Sequence, residues 1–478
     1  MPPKISKILF VEPPKDYWFL MGEYLPPPTG LLTLAAYLEE KIPEIEIEIL
    51  DCQAERKDWN NVKRDIESFS PSIVAASGFT CNAYVCAKVS EIAKDVSDEI
   101  ITIVGGQHFS FTAEESLSDF PEIDYIVRDE GEVTLVELIR TLMSEKEESR
   151  VKGLSFRHNG RIIHTPPRPL IEDLDTLPYP AYHLVEKNIK RYHFTMMAKK
   201  NTNYMILEGS RGCNHRCSFC TQWRHWNGVW RAKSARRIAD EMEYYNERFD
   251  GGFMWLTDDN FRYDRRTKEL WRELKNRRFT DDISWFFQAR TDDIANNPDL
   301  VAKMREIGNS WVLVGVESNS PEFLKDFKKR AHVDDASKAM KILNDNDIFT
   351  QAMFVIGSRK DSVKSIEKLR QFSLDLDVGL ALYTILTPYP GTEVYEMALK
   401  NGLIEDTNYA HYDMVHAIMP TETLSRREVQ EELYRCYRGF YGSISQNISG
   451  LFSKNETKRR IHRHMAGKRV LGNLRSLI

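Results

Sequence analysis

Gly212-Cys213-Asn214-His215-Arg216-Cys217-Ser218-Phe219-Cys220-Thr221-Gln222 follows a short strand-like run at 205–208 and holds the densest cysteine cluster in the chain. Cysteine is otherwise scarce, seven in 478 residues, yet three fall within eight positions in a C-x3-C-x2-C array. Thiolates suit soft metals and iron–sulfur clusters, and short spacing gathers them with little loop-closure entropy. Three thiolates on a four-iron cluster leave one iron open to an exogenous ligand. A closed zinc site takes four protein ligands; no fourth cysteine follows nearby, although His215 and His225 could complete the number. Structural zinc and free core cysteines therefore stand as the alternatives.

With aromatic Phe219 before its last cysteine, the array resembles that of the radical S-adenosylmethionine (SAM) enzymes. The resemblance implies a [4Fe–4S] cluster on Cys213, Cys217 and Cys220, whose open iron chelates SAM and cleaves it reductively, with electrons from a low-potential donor. Strand-like runs at 253–259, 284–291, 310–318, 349–357 and 378–388 alternate with helical stretches near 234–248, 265–277, 298–307, 321–328, 334–346 and 361–374. Six repeats suit a partial (β/α)6 barrel, open at the side to a large substrate, with the cysteines on the catalytic, carboxyl-end side.

Other strand ends carry candidate SAM contacts. Asp258 or Asp259, in Thr257-Asp258-Asp259-Asn260, can accept from the SAM ammonium. Helix capping is the alternative there, above all for Asn260. Arg290 offers a planar fork that matches the SAM carboxylate. Glu317 corresponds to the family's ribose-binding glutamate, and Gly357 to its adenine-side element. Tyr383 on the last strand is a candidate for lining the substrate cavity, with core packing as the other reading.

The first 143 residues have a different rhythm. Short apolar runs at 7–12, 45–51, 72–79, 100–106 and 125–131 alternate with helical stretches near 30–41, 59–69, 83–94, 112–118 and 132–143. That is the pattern of a doubly wound parallel sheet, which binds ligands beyond its strand ends. No G-x-G-x-x-G supports a dinucleotide site. Placed before a radical SAM core, the segment resembles the cobalamin-binding domain of the B12-dependent radical SAM enzymes. The resemblance maps the Pro26–Gly30 segment including Pro28, then Ser77, Gly105-Gly106-Gln107-His108 and Glu130-Gly131-Glu132, onto cofactor-facing loops. The D-x-H-x-x-G motif that supplies a histidine to cobalt is absent. Cobalamin is therefore expected base-off, its tail near Ser77 and Gly105, with a methylcobalamin intermediate; His108 reads as a rim or cap histidine.

The expected organisation is thus α/β throughout its two main parts: a cobalamin-binding domain at 1–143, a hairpin and linker at 144–200, the barrel at 201–392 and a mainly helical C-terminal domain at 393–478. Asn159-Gly160 marks the hairpin turn. Tyr434, Tyr437 and Tyr441 share a helical face that reads as a lid packed on the barrel, and 451–478 form a basic tail with eight Lys or Arg and one acid. A net charge of −5 argues against a generally basic nucleic-acid surface. No apolar run approaches the roughly 20 residues needed to span a bilayer, and the sparse cysteines suit a reducing, low-oxygen cytoplasm.

The resemblance implies transfer of a SAM-derived methyl group to an unactivated, sp3 carbon. A protein or peptide substrate is the favoured specific reading, such as a glutamine of methyl-coenzyme M reductase, with a small molecule otherwise. An oxidative cyclase or rearrangement enzyme, similar to the anaerobic magnesium-protoporphyrin monomethyl ester cyclases, is the enzymatic alternative. A non-catalytic corrinoid or cluster sensor is the other.

Overall fold

Apolar runs such as Ile8-Leu9-Phe10-Val11 have no polar alternation, so they form strands buried on both faces. The computed structural model describes residues 5–15, 24–144, 146–194 and 202–467, divided into two compact units. The expected residues 468–478 of the basic tail, and 195–200 of the linker, lie outside those described. The first unit contains β1 (Lys7–Glu12), β2 (Glu46–Asp51), β3 (Ile73–Ser77), β4 (Ile101–Gly105), β5 (Tyr125–Val127), β6 (Leu154–His158) and β7 (Arg161–His164). They lie in the order β2-β1-β3-β4-β5-β6-β7. Strands β1 to β5 pair in parallel and β6 and β7 antiparallel. Chain order reverses between β1 and β3, and such a switch point is where open α/β sheets bind ligands.

The hairpin assigned to the linker extends this sheet. Asn159 and Gly160 both take positive φ, 50° and 73°, as a two-residue turn matched to strand twist requires. The turn was legible; the partner strand was not.

The second unit contains β8 (Asn203–Leu207), β9 (Gly251–Leu256), β10 (Ser284–Arg290), β11 (Asn309–Glu317), β12 (Phe349–Ile356) and β13 (Leu380–Ile385). All six are parallel and lie side by side in chain order. Among the described residues no pairing joins β13 back to β8, so the barrel is partial. Alternate side chains take opposite faces. Phe286 and Trp311 stack at 4.1 Å on one face, with Phe253 and Trp255 each 5.3 Å from Phe286. Nearer the carboxyl ends, in step with those rings, Gln288, Leu313, Met353 and Leu382 are half-buried. Trp285, Phe287, Phe354 and Tyr383 alternate with them and are buried.

Helix α1 (Arg426–Tyr441) closes the β13 edge with the aromatic face seen in the sequence. Tyr437 Oη accepts from the Tyr383 N–H at 3.0 Å and donates to the Tyr383 carbonyl at 2.7 Å. Tyr441 Oη donates to the Ala381 carbonyl at 2.8 Å, and the Ile385 N–H donates to Met414 O at 2.7 Å. These bonds satisfy groups that an open edge leaves exposed. On this side, the lateral opening expected of a partial barrel is covered.

Candidate active site

The cluster loop leaves β8 and is fixed at its root by a buried carboxylate. Asp258, fully buried, accepts from the Gly209 and Ser210 N–H groups at 2.8 and 2.9 Å and from Ser210 Oγ at 2.6 Å. Arg266 donates to Gly209 O at 3.0 Å and reaches Asp258 Oδ2 at 3.4 Å. Asp259 Oδ2 accepts from the Gly212 N–H at 3.0 Å. Both acids expected at the SAM ammonium thus hold the loop, a use that long-range pairing alone reveals.

Within the loop Cys217 is buried, and Cys213 and Cys220 are half-buried. Burial pushes all three thiols up, Cys220 to about 12, while backbone N–H groups of His215 and Gln222 oppose it at Cys213 and Cys220. A soft cationic cluster overrides such a penalty by taking the thiolate directly. Among the described residues, no group of three His, Cys, Asp or Glu is gathered for a single metal ion. Three thiols on one strand-end loop, with backbone N–H groups of His215 and Gln222 at two of them, fit an iron–sulfur cluster. The Ser218 N–H donates to Phe327 O at 3.1 Å, and Phe219 packs edge-on against Phe327 at 5.4 Å.

Arg290 is buried beside this loop, but its fork is already engaged. It donates to Asp292 through Nε at 2.9 Å and Nη2 at 3.0 Å, and to the carbonyls of Lys329 and Arg330 at 2.7 and 3.3 Å. Glu317, at a φ of 64°, accepts from Lys329 Nζ at 2.6 Å. A non-glycine residue holds that backbone only where its surroundings impose it, at a cost of about 1–3 kcal/mol. A Cβ on Gly315 would lie 2.6 Å from Glu317 Oε1 and 3.0 Å from Lys329 Nζ, so glycine makes room for the pair. Lys329 was missed in the sequence because Phe327-Lys328-Lys329-Arg330 reads as an ordinary basic helix end.

A cavity of about 490 Å³ opens beside the loop, bounded by Ser218, Ser318, Phe323, Phe327, Val355 and Leu386 among others. Gly357 follows β12 at a φ of 80°, where a Cβ would press on the Val429 and Ile385 side chains. Tyr383 is placed elsewhere. It is fully buried, its hydroxyl bonded to Ser373 and its ring packed on Phe354 and Tyr437. Its alternation with Leu382 puts it on the face opposite Phe286, which corrects the cavity-lining expectation to core packing.

In the first unit, Ser77 and the Gly105-Gly106 turn meet at adjacent strand ends. The Gly78 N–H donates to Gly105 O at 3.1 Å, and a Cβ on Gly106 would lie 2.7 Å from Gly78 O and 2.8 Å from Ser77 Oγ. Gly106 has φ 93° and ψ −178°, a region essentially reserved for glycine. Gln107 and His108 start the helix that follows. Burial lowers the His108 imidazole to about 4, which keeps it neutral. Pro28 begins the helix Thr29–Lys41, its carbonyl accepting from the Leu32 N–H at 3.0 Å. Glu130 and Glu132 are buried, and Glu130 Oε2 accepts from the Ile171 N–H at 2.7 Å, tying the turn to the connector. Gly131 leaves space for Leu34, 3.0 Å from where a Cβ would stand.

A switch-point sheet followed by a cysteine-bearing partial barrel defines a two-module radical enzyme. Residues 207–373 match the radical SAM superfamily and residues 22–139 the B12 binding domain. The chain thus carries the two domains that the cobalamin-dependent radical SAM enzymes combine, and its cofactors are a [4Fe–4S] cluster, SAM and cobalamin. It is 29% identical over 440 residues to an uncharacterized methyltransferase of Pyrococcus horikoshii, covering 92% of this chain and 93% of that one. It is 27% identical over 419 residues to the anaerobic magnesium-protoporphyrin IX monomethyl ester cyclase of Cereibacter sphaeroides, covering 87% and 67%. The fold matches the radical SAM methyltransferase TsrM of Kitasatospora setae with a TM-score of 0.73 at 16% identity, over 97% of this chain and 99% of that one. Among the described residues, no helix is long and apolar enough to cross a membrane.

Proposed function

We propose that this protein transfers a SAM-derived methyl group to an unactivated sp3 carbon of an apolar small molecule. The observation that carries the substrate class is the half-buried Gln288, Leu313, Met353 and Leu382, four uncharged side chains in step with the stacked rings of Phe286 and Trp311. The Pyrococcus relative bears the name methyltransferase and the cyclase relative acts on a porphyrin ester, which supports a small substrate over the glutamine of a protein.

When bound, the cluster and SAM supply the radical that removes a substrate hydrogen, and base-off cobalamin carries the methyl group. Residues 1–143 hold cobalamin through Ser77, Gly105 and Gly106, and residues 201–392 hold the cluster and SAM. Cys213, Cys217 and Cys220 bind iron. Glu317, Gly357 and the adjoining cavity take the adenosyl part. The chain's own work is positioning and water exclusion, because hydrogen abstraction needs alignment more than a proton donor. The four cysteines outside the cluster loop, none of them in a disulfide, fit a reducing, cytoplasmic setting.

The second reading, oxidative cyclisation, is favoured by the cyclase relative. An anaerobic reaction of the reconstituted protein with methyl-labelled SAM and an apolar polycyclic acceptor separates them. Methyl transfer predicts a product heavier by the labelled methyl group. A product that loses hydrogen and gains no label establishes cyclisation instead.

A further inference from the structure

Residues 451–467 of the basic tail belong to a helix pair at the amino ends of the barrel strands. Helices α2 (Ile444–Leu451) and α3 (Glu456–Gly467) pack so closely that a Cβ on Gly450 would collide with the His462 ring. Asn455 Nδ2 donates to the Asp347 carbonyl at 3.0 Å and to Asp347 Oδ1 at 2.9 Å, and Lys458 Nζ donates to Asp377 Oδ1 at 2.9 Å. Those two aspartates precede β12 and β13, so the pair is pinned at the strand ends opposite to those that carry the cluster loop. Arg459 Nη1 donates to the carbonyls of Ser453 and Lys454 at 2.5 and 2.6 Å, which fixes the turn between the helices. That turn holds Phe452 82% exposed, more than any other large apolar side chain among the described residues, and Ile448 is 54% exposed. The Phe452 N–H donates to Ile448 O at 3.2 Å, so the two side chains share one helical face. Lys454 on the same turn and Arg463 on α3 are exposed as well.

The charge of the chain is one-sided. Residues 451–478 hold eight Lys or Arg and one acid, +7 in a chain of net charge −5, which leaves −12 for the rest. An anionic surface attracts this region and repels the remainder, which sets the orientation of approach. We propose that the helix pair is a peripheral docking surface for an anionic lipid bilayer, with Ile448 and Phe452 entering the acyl boundary and Lys454 and Arg463 meeting lipid phosphates. Apolar side chains accompanied by Lys and Arg are the composition of helices that lie in a membrane interface. A nucleic acid would meet the cations and leave Ile448 in water. An acidic electron-donor protein has to approach the cluster, which lies beyond the carboxyl ends of the strands, about 20 Å away along a six-residue strand such as β13. The inference does not depend on which reaction the enzyme carries out.

Full-length protein is mixed with vesicles of phosphatidylcholine alone, or of phosphatidylcholine containing one-third phosphatidylglycerol, and bound protein is measured by flotation. The expected result is binding to the anionic vesicles that weakens as salt screens the headgroups, and little binding to the neutral ones. Phe452→Ser should weaken anionic binding about tenfold, and Lys454→Gln and Arg463→Gln about fivefold each. Lys454→Arg, which keeps the charge, should bind as wild type does. Denaturant midpoints check that these exposed substitutions leave the fold intact, and should Phe452→Ser fail to fold, Ile448→Ser takes its place. Wild-type protein that ignores the anionic vesicles, or binds both kinds equally, overturns the proposal. Unchanged binding of folded Phe452→Ser, or of Lys454→Gln and Arg463→Gln together, overturns it as well. Sedimentation without lipid covers the other occupant: a dimer that Phe452→Ser dissociates, in a protein that does not float with anionic vesicles, assigns this face to a second copy of the chain instead.

Discussion

Ser210 Oγ donates a 2.6 Å hydrogen bond to Asp258 Oδ2 across 48 residues of sequence, which ties the root of the cluster loop to the end of β9. Because Asp258 also accepts two backbone N–H groups and faces Arg266, its carboxylate anchors four partners in a fully buried site. Asp258→Ala leaves those donors and a partly buried guanidinium without their acceptor. The loss should be about 3–5 kcal/mol, the scale for breaking a buried pair. Urea unfolding and iron content should fall together. A variant that retains wild-type stability and a full cluster would show the anchor to be dispensable.

Cys213, Cys217 and Cys220 should be needed jointly for the cluster. The triple alanine variant is expected to take up no [4Fe–4S] cluster under anaerobic reconstitution while keeping its fold, since it removes only small side chains. Iron and sulfide analysis checks the first point and circular dichroism the second. Full cluster content in the triple variant contradicts the ligand assignment.

Gly106→Ala tests the cofactor turn of the first unit. The new Cβ would press on Gly78 O and Ser77 Oγ, and alanine must adopt a glycine-only backbone at a cost of about 1–3 kcal/mol. Corrinoid absorbance after anaerobic loading should be lost or strongly reduced, while iron content stays at the wild-type level. Equal loss of both cofactors would point to general unfolding.

What the sequence revealed and what it concealed divide along the range of the interactions. The cysteine spacing, the Gly105-Gly106 turn and Asn159-Gly160 announce local geometry, because each depends on residues within a few positions. Asp258 with Ser210, Lys329 with Glu317 and Tyr437 with the β13 edge are choices of distant partner. Nothing in Thr257-Asp258-Asp259-Asn260 distinguishes an acid turned toward a ligand from one turned back on its own loop. Tyr383 shows the same limit in a strand: alternation groups it with one face but does not say which face meets the helices.

Tyr383→Phe should therefore leave product formation unchanged. The lost hydroxyl removes the Ser373 bond, a change of about 0.5–1.5 kcal/mol in stability. The Tyr437 bonds to the Tyr383 backbone survive the substitution. Turnover measured beside denaturant midpoints settles the matter, and abolished turnover with intact stability would return Tyr383 to a chemical role.

Asp51 gives the first unit a defined pH response. It is 1% exposed at the end of β2, accepting from the Ala54 N–H at 3.0 Å and from Tyr192 Oη at 2.8 Å. Burial, reinforced by the Glu12 charge, raises its carboxyl from 3.8 to about 6, despite opposition from those two hydrogen bonds. In the interval between these values the unfolded chain has released the proton and the folded protein retains it. The folded state binds more protons there, so this group's contribution to stability falls as pH rises through the window. Above about pH 6 both states are ionised and the penalty, on the order of 3 kcal/mol, is complete. Asp51→Asn keeps an oxygen for Ala54 and removes the titration. Its stability relative to wild type should therefore climb between about pH 4 and pH 6 and then level off. Denaturant unfolding of both proteins across that range gives the difference directly, and a difference that does not vary with pH would mean that Asp51 ionises in the fold as it does in the unfolded chain.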